Sequence, residues 1–87
     1  MSTAREYETE FLEAIELALA GKWDAAHRIV QRHENDATAS WIHAILHKIE
    51  GDMDNSRYWY RRAGKMEHAG DEAHAELRTI EAMISGR

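Results

Sequence analysis

The stretch Trp41-Ile42-His43-Ala44-Ile45-Leu46-His47-Lys48-Ile49-Glu50-Gly51-Asp52-Met53-Asp54-Asn55-Ser56-Arg57-Tyr58-Trp59-Tyr60-Arg61-Arg62-Ala63 decides the fold. Trp41, Ile42, Ile45, Leu46 and Ile49 recur at the period of a helix and form a broad apolar arc, which predicts a deeply buried helix ending near Glu50. Gly51 is suited to end it, because glycine enters the left-handed conformation without a Cβ penalty. A second helix is expected from Asp52 or Asp54 to about Ala63, with an acidic cap. Its period turns Ser56, Tyr60 and Ala63 inward and Arg57, Arg61 and Lys65 outward. The unit is an antiparallel αα-hairpin.

The chain matches itself thirty residues earlier. Phe11 falls on Trp41, Ala14 on Ala44, Ile15 on Ile45, Leu19 on Ile49, Gly21 on Gly51, Ala26 on Ser56 and Val30 on Tyr60. A first helix from about Thr3 to Ala20 carries an apolar stripe of Tyr7, Phe11, Ala14, Ile15 and Ala18, with Glu6, Glu8, Glu10, Glu13 and Glu16 around it. A second, from about Trp23 to His33, places Trp23, Ala26, His27 and Val30 on one side. Glu34-Asn35-Asp36 breaks the pattern, and Asn35 or Asp36 is suited to cap the third helix. After Gly70, Asp71 is suited to cap a fifth, with Ala73, Leu77, Ile80 and Ile84 on its apolar side.

The pattern Trp41-x2-Ala44-x6-Gly51-Asp52-x3-Ser56-x3-Tyr60-x2-Ala63 resembles a tetratricopeptide repeat. Phe11-x2-Ala14-x6-Gly21-x4-Ala26-x3-Val30 is a weaker copy, with His33 in place of the closing alanine. The spacing of thirty is shorter than that family's period of about 34, and the proline that usually ends a repeat is missing. The resemblance implies an all-α chain of about five helices, stacked as right-handed antiparallel hairpins. Unit one would span 3–34, unit two 36–65, and a capping helix 71–85, all in one helical-repeat domain. It implies a protein-interaction scaffold and says nothing of chemistry.

Composition agrees with that class. A chain of 87 residues, 44% hydrophobic and 31% charged, is one small globular domain. The absence of cysteine excludes a disulfide scaffold, a thiolate zinc site and a cysteine nucleophile. A net charge of −5 argues against nucleic acid as a partner. Met1-Ser2-Thr3-Ala4-Arg5 leads into acidic residues, and no apolar run approaches the ~18 residues of a membrane span. The expectation is a cytoplasmic protein without membrane partners.

Among chemistry-bearing residues, His43 and His47 stand at i and i+4, which sets two imidazoles on one helix face. Glu50 lies one turn further, and His33 is the third histidine expected to reach them. The glutamate of HExxH is absent, since the segment reads His-Ala-Ile-Leu-His. The expectation is a structural pair that meets Ser56 and Tyr60, with no metal and no cofactor. The alternative is a metal-binding protein, or a metal-dependent enzyme, centred on His43 and His47. Residues 55–70 hold four basic side chains against Glu67 alone, but the helical period splits Tyr58-Trp59-Tyr60-Arg61-Arg62 into a core aromatic and solvated arginines. Asp52-x-Asp54-Asn55 lacks the glycine and distant glutamate of a calcium loop. No catalytic or cofactor-binding residue is assigned.

The functional expectation is therefore a non-enzymatic interaction module. Its partner-binding face would carry Phe11, Ile15 and Leu19 on the first helix and Trp41, Ile45 and Ile49 on the third. Two such stripes are too apolar to stand in water, and one short helix is not expected to cover both. A homodimer is the simplest occupant, with the acidic first helix of one copy against Arg57–Lys65 of the other.

Overall fold

A computed structural model describes residues 3–86, with side chains from Tyr7 onward. The expectations for Met1, Ser2 and the Glu6 side chain lie outside the described residues. The architecture is all-α: α1 spans Thr3–Leu19, α2 Trp23–Gln31, α3 Ala37–Glu50, α4 Met53–Ala63 and α5 Ala73–Ser85. One 3-10 turn, Met66–His68, precedes α5. No helix of the described residues is long and apolar enough to cross a membrane.

Three helices end in the same way. Gly21, Gly51 and Gly64 have φ of 80°, 88° and 70°. In each case the following N–H reaches back five residues: Lys22 to the Leu17 carbonyl, Asp52 to His47 and Lys65 to Tyr60. This pattern satisfies carbonyls that the helix end leaves open and reverses the chain. Asp36 caps α3 by accepting from the Ala39 N–H at 3.0 Å, and Asp52 caps α4 through the Asn55 N–H. Glu72, rather than Asp71, caps α5, accepting from the His74 and Ala75 N–H groups. Asp71 is used elsewhere: its carboxylate holds His68 and its carbonyl accepts from Lys48.

The helices α1 and α2 form one hairpin and α3 and α4 a second, more closely packed one. Ser56 explains the closeness. It is buried, and its hydroxyl donates to the Ala44 carbonyl at 2.8 Å across the hairpin. The two hairpins join through α2 and α3, and α5 lies against both α1 and α3.

That placement of α5 corrects the expected partner face. Phe11, Ile15, Trp41 and Ile45 are all buried within the chain, at most 3% exposed. Leu19 is half-buried, and only Ile49 is open, at 40%. One helix covers both stripes because α1 and α3 also touch each other, so the stripes form one furrow rather than two surfaces. Leu77 and Ile80 fill the furrow. The reason for expecting a homodimer there, an exposed double stripe, is gone.

A buried acid completes the seat of α5. Glu76, 3% exposed, accepts from Trp41 Nε1 at 2.7 Å, from the Tyr60 hydroxyl at 2.7 Å and from Lys48 Nζ at 2.9 Å. Lys48 also donates to the carbonyls of Asp71 and His68. Burial, and then the hydrogen bond and charge of Glu76, push the Tyr60 hydroxyl well above the usual phenol range. Glu76 therefore keeps its acceptors filled, as a buried carboxylate requires.

Candidate metal centre

The two histidines predicted to face α4 sit on the buried side of α3, His43 at 3% and His47 at 8% exposed. Their partners are not Ser56 and Tyr60, which bond to Ala44 and Glu76. They meet His27 of α2 instead. His27 Nε2 lies 3.0 Å from His43 Nε2, and its ring stands edge-on to His47 with centroids 5.3 Å apart. One ring nitrogen from each of His27, His43 and His47 falls within 4.8 Å of the other two.

Local packing explains how α2 delivers His27. Trp23, one turn earlier, donates its indole N–H to the Leu46 carbonyl at 2.6 Å, which pins the start of α2 to α3. The Trp23 ring then stacks on His27 at 4.5 Å. Ala26 and Val30 are fully buried and let α2 lie close. From the other flank, Trp59 of α4 stacks on His43 at 3.9 Å and 12°. The three imidazoles thus lie between two indoles.

The electrostatics favour the ligand form of the rings. Burial, with the charges of His27 and His47 beside it, pushes the His43 imidazole down to about 3. Burial and His47 lower His27 also, against the opposing pull of Glu50, Asp24 and Glu34. Both rings are neutral near pH 7, the state in which an imidazole offers a lone pair to a metal. The three carboxylates add negative potential where a cation would sit. His43 Nδ1 is buried without a hydrogen-bond partner. The other ring nitrogen, His43 Nε2, is the one that faces His27.

At a zinc–nitrogen length of about 2.0–2.1 Å, tetrahedral ligands stand roughly 3.3 Å apart. The His27–His43 contact is close to that, and no separation among the three exceeds 4.8 Å. The other face of His47 is occupied: Nδ1 lies 2.6 Å from Glu50 Oε2. Glu50 and Asp52 form a second acidic group with His47. Asp52, however, spends both oxygens on Asn55 as the cap of α4.

His33, the third histidine that the sequence put within reach of the pair, is elsewhere. It bonds Glu10 at 3.1 Å and packs between Tyr7 and Phe11. The signal for His27 was its place beside Trp23, Ala26 and Val30 on the inward side of α2. What that pattern lacks is the neighbour it faces. The basic stretch is tied down locally: Arg57 pairs with Asp54, Arg62 donates to the Glu34 carbonyl, and Lys65 lies over the Trp41 ring. Comparison with protein-family models, with curated proteins and with solved structures finds no match to this chain, so the chemistry of the three-histidine cluster is read from its geometry.

Proposed function

We propose that this chain binds one divalent transition-metal ion, of the zinc class, through His27, His43 and His47. The observation that carries the reading is the convergence of three buried or half-buried imidazoles from two separate hairpins, each with a nitrogen within 4.8 Å of the others. Nitrogen-only ligation favours zinc, copper or nickel over magnesium and calcium, which take oxygen. Three protein ligands leave a fourth position for solvent or another donor. His27 is only half-buried and marks the side on which that position opens. The tetratricopeptide-like reading remains a proposal about the scaffold, right-handed stacking included. It is supported by the two glycine-turn hairpins and by a last helix packed across them.

Since the ligands come from both hairpins, the metal ties α2 to α3 and stabilises the fold by mass action. Free zinc at a hundredfold excess over Kd adds about 2.7 kcal/mol. For a domain of this size that raises Tm by about 10–20 °C. The test is calorimetric titration with zinc and thermal melting with and without it. Binding of one ion per chain, lost in His27→Ala, is expected. No heat of binding and no zinc-dependent rise in Tm would remove the reading. Magnesium is expected to have no effect.

A further inference from the structure

The three candidate ligands are not equally prepared. His27 and His43 point their Nε2 atoms at each other at 3.0 Å, so one proton lies on that line. A metal must break that bond before it can take both nitrogens. His47 differs. Its Nδ1 faces a carboxylate oxygen of Glu50 at 2.6 Å. A carboxylate oxygen only accepts, so Nδ1 carries the proton and, in the neutral ring, Nε2 keeps its lone pair. Glu50 stands three residues after His47, at the end of α3, where the Gly51 turn leaves its side chain 39% exposed. Its carboxylate meets the buried core through the His47 ring. Neighbouring Asp52 is committed to Asn55 and is not an equivalent partner.

We infer that Glu50 is the positioning residue of the centre, holding His47 in the tautomer and ring orientation that present Nε2 to the metal. The inference rests on the metal reading above. Such outer carboxylates raise ligand basicity and fix the ring, and their loss typically weakens metal affinity by about 10–100-fold.

The experiment measures zinc affinity by competition with a chromophoric chelator in the full chain, for wild type and for Glu50→Ala, Glu50→Gln and Asp24→Asn. Asp24 acts on His27 through charge alone, with no hydrogen bond to a ligand ring, so its variant reports the effect of removing a nearby negative charge. Glutamine can still accept from Nδ1–H, so a positioning role ranks affinity as wild type, then Gln, then Ala. The expected loss in Glu50→Ala is about 10–100-fold, clearly larger than in Asp24→Asn, with the Tm of the zinc-free proteins unchanged. Equal losses in Glu50→Ala, Glu50→Gln and Asp24→Asn would reduce Glu50 to a charge and overturn the inference while the metal reading stands. Wild-type affinity in Glu50→Ala would overturn it too. A loss that tracks a lower zinc-free Tm would make Glu50 a structural residue and not a positioning one. Failure of the wild type itself to bind zinc would overturn the metal reading, and the inference with it.

Discussion

Lowering the pH from 7 to 5 in the presence of a chelator is expected to destabilise the zinc-free protein through His43. The ring is 3% exposed, and its pKa falls from the unfolded value of 6.5 to about 3. A histidine held neutral binds fewer protons when folded than when unfolded. Its contribution is therefore complete above pH 6.5 and is lost as the pH falls toward 3. Each unit in that window is worth up to about 1.4 kcal/mol, so reaching pH 5 removes about 2 kcal/mol. Lowered His27 adds in the same direction, while Glu50, Asp24 and Glu34 pull against it. Glu72 and Asp52, whose pKa values are lowered by the backbone and side-chain groups they hold, do not titrate until well below pH 5. Within the window from 7 to 5, Glu16, raised by the hydrogen bond and charge of Glu81, works against the histidines, so comparison with a His43 variant is what isolates that ring. Thermal melts across it are expected to show a fall of about 8–16 °C for about 2 kcal/mol. The same series on His43→Leu, which keeps volume without a titrating group, is expected to be much flatter. Equal slopes in wild type and His43→Leu would refute the claim that this ring is held neutral by its surroundings.

Glu76→Ala is expected to cost about 3–5 kcal/mol, because it strands Trp41 Nε1, the Tyr60 hydroxyl and Lys48 around an empty acceptor. A chemical-denaturation loss below 1 kcal/mol would show that α5 is held by its leucine and isoleucines alone. Gly51→Val is expected to cost at least ~1 kcal/mol. Its φ of 88° strains any branched side chain, although open space surrounds the position, so an unchanged Tm would contradict the strain argument.

Much of the fold was legible because its causes are local. The apolar arc of Trp41, Ile42, Ile45 and Leu46 is buried as its period requires, and Gly21 and Gly51 turn the chain with positive φ. Asp36 and Asp52 cap the helices that follow them. Each of these needs only residues within a few positions of one another. The candidate centre was half legible. His43 and His47 share a face of α3 by spacing alone, but their i, i+4 relation is equally compatible with α2 or α4 as neighbour. Both turn out to flank the pair, with Trp59 supplied from one and His27 from the other.

The sequence by itself determined the helices, the ends of those before α5 and the hairpins, because backbone hydrogen bonds, glycine conformation and apolar period act over one or two turns, whereas the α5 cap fell to Glu72 because Asp71 holds His68. Tertiary structure alone decided three matters: that α5 fills the furrow between α1 and α3, that Glu76 rather than water or a histidine meets Trp41 and Tyr60, and that His27 rather than His33 completes the imidazole trio. All three join residues 16 to 35 positions apart or more, for which no period exists. They depend on which faces remain apolar once the hairpins have closed, and on where a buried polar atom can still find a partner.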